Sequence, residues 1–386
     1  MVGALAITQT AGYGVLYYAF SVFIPPMSRD LGAGVAELTG AITLSVLVSG
    51  LAAPFIGRWL DRRGGRGLMT IGSLVGGLGV LAWSQVQHVA HLYAVCAVLG
   101  LASAMVLYEA AFAVIVAWSD AARRARALLA VTVVAGFASS IFLPLTGLLV
   151  DRYGWRQALV VLAIGYALTA VPLHALAVRG RGSPAHADRG EIVGAALRER
   201  PFWLLAAAFL TQTGAVSTMG VLLVSYLIAL GHQPVFAAAV AGLLGVLSVT
   251  GRLVTTGLQA RWRVALITAA MFGVQGLAAV LLPLVGRSVP GAVAGVVLFG
   301  LGFGVATIAR PALLADRYGT VAYASLSGAL ALPITISKAV APLLAAGIAQ
   351  FVGYPAVMGA VAGACVAGAL ALVAYDRGTR TDTAPA

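Results

Sequence analysis

Apolar runs of about 18 or more residues, each long enough to cross a bilayer as a helix, recur along almost the whole chain. Twelve can be delimited, at 4–26, 36–58, 67–87, 92–117, 125–149, 155–178, 202–230, 236–259, 264–285, 291–314, 326–350 and 354–375. Short polar or basic loops separate them, and the stretch 179–200 is the one long polar interruption. The pattern predicts an all-α membrane protein of twelve transmembrane helices in two six-helix bundles, over 1–178 and 201–386, joined by a linker at 179–200. The first run is too long, and lacks the basic start, for a cleavable leader.

Composition supports a chain that lives in lipid. Hydrophobic residues make up 61% and charged residues 9%, where soluble domains carry roughly 25% charged residues. The net charge of +12 suggests nucleic acid until its location is considered. With the N-terminus inside, seventeen of the 24 Lys and Arg residues fall in cytoplasmic loops and the tail, and four (Arg29, Arg152, Arg156, Arg287) on the other side. That asymmetry places both termini in the cytoplasm of a cell membrane and argues against nucleic acid as a partner. Cys96 and Cys365 lie in apolar spans and read as core residues, without a disulfide framework. His88 and His91 have a metal-compatible spacing but no third ligand near them, so no metal is expected.

The two sets of spans repeat one design. Thr8-Gln9-Thr10 recurs as Thr211-Gln212-Thr213, Gly57 as Gly257, Pro144 as Pro342, and Gly154-Trp155 as Gly353-Tyr354, all in one register. Repeated halves place a substrate site near the bilayer midplane and imply alternating access. The loop after span 2 reads Gly57-Arg58-Trp59-Leu60-Asp61-Arg62-Arg63-Gly64-Gly65-Arg66. There Gly57 permits close helix approach, Asp61 suits the positive N-terminus of a neighbouring helix, and the arginines suit an anionic inner leaflet.

This loop resembles the G-x-x-x-D-R-x-G-x-R signature of the major facilitator superfamily. The resemblance implies that Gly57, Asp61, Arg62, Gly64 and Arg66 form a cytoplasmic latch. The second-half copy, Gly257 to Arg263, lacks the acid. Within the superfamily the chain is most similar to monocarboxylate porters and oxalate/formate exchangers, through Arg252 in span 8, Lys338 in span 11, Tyr13, Tyr17 and Tyr18 in span 1, and Tyr108 in span 4. The acid near the arginine of animal monocarboxylate porters is replaced here by Leu247-Ser248-Val249.

Three cations stand at membrane depth: Arg252, Arg310 and Lys338, the chain's single lysine. Each costs about 2.5–3.5 kcal/mol on insertion scales unless it meets water or a partner. The one intramembrane acid is Glu109. A positive excess at depth suits an anion. Arg252 would offer a carboxylate a two-pronged donor and Lys338 a point charge. An anion bridging the two would draw the halves together. Snorkelling of Arg252 and local solvation of Lys338 by carbonyls near Pro333 and Pro342 are the plainer readings. Glu109 and Arg310 read as a gate or coupling pair, or as locally solvated groups. Tyr13, Tyr17 and Gln9 share a helical face, with Tyr18 turned off it, and with Gln212 they are candidates for substrate contact or for packing. Gly300 to Gly304 reads as helix packing, not a phosphate loop.

The expected function is secondary transport of a small organic anion, a mono- or dicarboxylate, by proton symport or exchange. Drug or metabolite efflux by proton antiport is the alternative. No paired catalytic groups stand at depth, so an enzyme is not expected, nor is any cofactor. The expected partners are an anionic small molecule and the lipid bilayer, around a monomer.

Overall fold

The structure, a computed structural model, describes residues 1–178, 189–259 and 261–381. The first part of the expected linker, with Arg179 and Arg181, lies outside the described residues. The described residues are helical almost throughout, and none is in a strand. In chain order the helices are α1 Val2–Tyr13, a π-helical turn Gly14–Tyr18, α2 Ala19–Leu31, α3 Val35–Arg63, α4 Gly65–Trp83, α5 Val89–Val106, α6 Tyr108–Trp118, α7 Ala121–Gly136 and α8 Ala138–Ala177. There follow α9 Arg189–Arg198, α10 Arg200–Ala229, α11 Pro234–Leu258, α12 Val264–Val285, α13 Val289–Leu301, α14 Ala306–Tyr318, α15 Tyr323–Phe351 and α16 Tyr354–Thr381. The second part of the expected linker is therefore helical, as α9.

Ten helical stretches among the described residues are long and apolar enough to cross a membrane. The difference from twelve has two local causes. The stretch Arg123–Ala177 holds two spans run together across Gly154, whose backbone is non-helical at φ 75°, ψ 163°. The first span is cut by the π-helical turn into pieces too short to count singly. Spans 4 and 10 are each crossed by two helices, α5–α6 and α13–α14, with a break between. At membrane depth such breaks persist only where the backbone is buried in protein or lines a watery cavity.

By packing, the chain falls into two units. Unit 1 is Met1–Arg189 with Tyr318–Leu332, and unit 2 is Gly190–Arg317 with Pro333–Ala386. The helix α15 thus begins in unit 1 and continues in unit 2, unbroken through Pro333 and Pro342.

Unit 1 is pinned at one end by Arg156, whose guanidinium donates to the carbonyls of Ser84 (3.0 Å) and Val86 (2.8 Å) and to Asp30 (2.8 Å). Beside it Trp83 stacks on Phe20 at 5.2 Å, and its indole N–H points at Met27 Sδ. At the other end lies a polar tie that the sequence reading missed. His174, 1% exposed, sits 2.6 Å from Ser73 Oγ through Nδ1 and 2.9 Å from Thr8 Oγ1 through Nε2. It joins α8, α4 and α1. In unit 2, Gly368 of α16 lies against Thr211 of α10 and the Phe272 ring of α12. Unit 2 packs around Met219, Leu223, Tyr226, Phe299, Val357 and Met358, all buried.

Candidate functional site

Unit 1 gathers aromatic side chains where two helices lose their regularity. A π-helical turn adds a residue to the helical repeat, and here it changes which tyrosines meet. Tyr18, expected off the face of Tyr13, has its ring centroid 6.4 Å from that of Tyr13 and 5.3 Å from that of Tyr17. The turn carries it round. Tyr108, the first residue of α6, lies 4.5 Å from Tyr13 and stacks on Phe112 at 4.9 Å. These distances fit favourable aromatic pairing. Tyr13, Tyr17 and Tyr108 are half-buried.

The break before α6 is held from α1. Leu107 is extended at φ −80°, ψ −166°, and the side-chain amide of Gln9 donates to the carbonyl of Val106 at 2.6 Å. Gln9 has no exposed surface, so it supports the break from behind. Glu109 follows in the first turn of α6, where the helix dipole favours a carboxylate. It accepts a hydrogen bond from Ser327 Oγ at 2.8 Å. Ser327 lies in the part of α15 that belongs to unit 1.

Unit 2 repeats the device. Residues 302–305, between α13 and α14, form turns. The run Gly300 to Gly304, expected as helix packing, does pack closely, with Leu247, Gln275 and Ser248 against Gly300, Gly302 and Gly304, and the helix also breaks there. Gln275 donates to the carbonyl of Phe299 at 3.1 Å, and Gln212 approaches Gln275 Oε1 at 3.5 Å. Both glutamines are buried. Gln275 escaped the sequence reading, although a lone amide in span 9 signals such a task.

Arg252 reaches the same break. Its Nε donates to the carbonyl of Gly304 at 3.4 Å and its Nη2 to Ser248 Oγ at 3.1 Å. Thr307 Oγ1 donates to the Gly304 carbonyl as well. Arg252 is 8% exposed and shares a buried stripe of α11 with Val240, Leu244, Ser248 and Thr255. The neighbouring Leu253 and Val254 carry the exposed face.

Lys338 differs. It is exposed, but not along the exposed apolar stripe of α15 formed by Ile336, Val340, Leu343 and Leu344. At about 100° per residue it shares a stripe with Ile334 and Ala345, both buried. Arg252 and Lys338 both belong to unit 2. The expectation that a ligand bridging them would draw the two halves together is corrected on that ground: both cations sit in one half. Arg310, half-buried in α14, is in unit 2, and Glu109 is in unit 1.

The loop Gly57 to Arg66 has a defined partner within unit 1. Asp61 Oδ1 accepts from the backbone N–H of Ala324 at 3.1 Å, and Oδ2 from that of Ser325 at 2.7 Å. The carboxylate caps the N-terminus of α15 from another helix. Gly57 lies directly against the Ala324 and Ser325 backbone, with no room for a Cβ. Gly64 ends α3 at φ 75°, ψ 174°, a conformation that favours glycine. Arg62 and Arg66 are exposed. The second-half copy lacks this contact at its glycine, since a Cβ on Gly257 would meet open space.

His88 and His91 lie with rings 5.8 Å apart, and no group of three metal-ligating side chains occurs among the described residues.

Comparison with known proteins bears on these features. The sequence family described as the Major Facilitator Superfamily matches residues 6–333. An uncharacterised 38 kDa protein in the 23S RNA operon of Thermoproteus tenax is 29% identical over 228 residues, 59% of this chain. That match spans 58% of the relative's length. Three solved structures share the fold at low identity. The human organic anion transporter MFSD10 has a TM-score of 0.74 and 15% identity over 96% of this chain and 99% of its own. The Escherichia coli fucose:proton symporter FucP has 0.74 and 14%, over 97% and 98%. A bacterial homologue of the iron transporter ferroportin has 0.77 and 12%, over 97% and 99%.

Proposed function

This chain belongs to the major facilitator superfamily, and from that premise we propose that it is a secondary transporter of a small organic anion, a mono- or dicarboxylate. It works by alternating access across the cytoplasmic membrane, coupled to protons or to exchange of a second anion. The fold does not choose the cargo, since its structural neighbours include an organic anion transporter, a fucose:proton symporter and a homologue of an iron transporter. Side chains must choose.

The observation that carries the anionic reading is the pair of cations in unit 2. Arg252 is inward-facing on its helix, and Lys338 is exposed away from the apolar stripe of its own helix. An arginine aimed at a helix break reads as a binding group more than as a snorkelling one, because discontinuous helices mark substrate sites in transporters. A carboxylate meeting Arg252 brings a charged acceptor, and the resulting ion-pair bond is stronger than those to the neutral acceptors Ser248 and Gly304. Lys338 adds a second, movable charge. Tyr13, Tyr17 and Tyr108, clustered in unit 1, are further substrate-contact residues in this reading. Gln9 and Gln212 act through the breaks they support. Glu109, bonded to Ser327, and Arg310 serve as gate or coupling groups.

The test is uptake of radiolabelled carboxylates into proteoliposomes. Arg252→Gln should reduce uptake at least a hundredfold at unchanged reconstituted amount, and Arg252→Lys should fall between. Uptake by Arg252→Gln equal to the parent would sink the proposal. A melting-temperature screen with carboxylates beside cationic and neutral drugs discriminates efflux, since a ligand at a hundred times its Kd adds about 2.7 kcal/mol. Stabilisation by the drugs alone would favour the efflux reading.

A further inference from the structure

One cleft lies well away from the breaks. It has a volume of about 610 Å³ and is lined by Arg200, Pro201, Leu204, Leu370, Val373, Ala374, Arg377 and Gly378. All are in unit 2. Its walls are the start of α10 and the last turns of α16, two helices packed side by side.

The charges of this cleft are arranged unusually. Each arginine has an acid next to it in sequence, and each acid is engaged elsewhere. Glu199 pairs with Arg317 at 3.3 Å, and Asp376 with Arg263 at 2.9 Å. Among the described residues no carboxylate lies within ion-pair distance of Arg200 or Arg377. Both arginines are exposed. Beneath them the lining is apolar. From Arg377 back to Leu370 along α16 is about 10 Å at 1.5 Å per residue, and Leu370 is 64% exposed. Two exposed cations above an apolar wall of that depth match a phosphodiester with an acyl chain. A soluble phosphate would meet the cations and leave the wall unused.

We propose that this cleft binds an anionic phospholipid, its phosphate between Arg200 and Arg377 and one chain along Leu204, Val373 and Leu370. Basic sites between helices at a membrane surface are suited to such headgroups. The charge complementarity names the occupant: zwitterionic lipid has the same chains but no net charge to answer the two arginines.

The experiment is native mass spectrometry of the purified full-length protein in detergent. The probes are phosphatidylglycerol, phosphatidylcholine with the same chains, and glycerol phosphate. Phosphatidylglycerol should be retained at least tenfold over phosphatidylcholine. That preference should vanish in the double substitution Arg200→Gln with Arg377→Gln and survive Arg200→Lys with Arg377→Lys. Ala374→Phe fills the cleft and keeps both arginines, so it should abolish retention too, and it decides the matter if the glutamine variant does not fold. Equal retention by the parent and Ala374→Phe overturns the lipid site. So does displacement of the lipid by equimolar glycerol phosphate, which would assign the arginines to free phosphate.

Discussion

Single side chains in this protein do work that depends on what they leave behind when removed. Gln9 bonds a carbonyl that the helix itself has released, so Gln9→Leu would strand the Val106 oxygen in a dry interior. A buried acceptor left unsatisfied costs about 1–3 kcal/mol, and denaturant titration in detergent should show a loss of that size. His174→Leu should cost less, because Ser73 and Thr8 also donate to their own helix carbonyls, at Met69 and Leu5. Hydrogen bonds between membrane helices average about 0.6 kcal/mol, so two lost bonds predict about 1 kcal/mol. If His174→Leu proved the more damaging of the two, the tie would carry more than packing. At this scale the sequence was legible where charge was expensive. Arg252, Lys338 and Glu109 announce themselves by standing in apolar runs. His174 and Gln275 carry no permanent charge to mark them in apolar sequence, so only their neighbours across the bundle reveal their tasks.

Elements were legible by hydropathy and obscure where hydrogen bonding changes without a change in polarity. All twelve spans can be read from apolar length, yet the π-helical turn at Gly14–Tyr18 lies in sequence that is apolar throughout. The break at Leu107 has no proline or glycine beside it to betray it. The break at 302–305 did carry glycines, and they read equally well as packing. Removing one residue from the π-helical turn, for example by deleting Leu16, should restore ordinary helical register and leave Tyr18 four residues from Tyr13, on the same face. Circular dichroism and ligand-induced stabilisation should then both stay close to the parent's, and a tenfold fall in apparent affinity would show that the turn itself shapes the site. The α15 N-terminus offers a second test at this scale. Substituting the carboxylate cap costs about 0.5–2 kcal/mol in well-studied helices. Asp61→Ala should therefore lower the melting temperature by more than Asp61→Asn, whose side chain keeps one acceptor oxygen.

For the molecule as a whole, repetition in the sequence gave notice of two related halves, and the breaks in α5–α6 and α13–α14 show what the halves share: a helix interrupted, with a side-chain amide from a neighbour donating to a carbonyl at the break. What they do not share is chemistry, since tyrosines line one break and arginine the other. That division could not be read from matching motifs, which record where the halves agree. Packing also departs from chain order, because residues 318–332 belong with the first 189. Genetic bisection makes this visible. If the gene were cut at residue 185 and both pieces coexpressed, the later fragment would carry its own docking key, the stretch whose amides Asp61 grips. The two polypeptides should copurify without any covalent link, and Asp61→Ala in the earlier fragment should weaken their recovery as a complex.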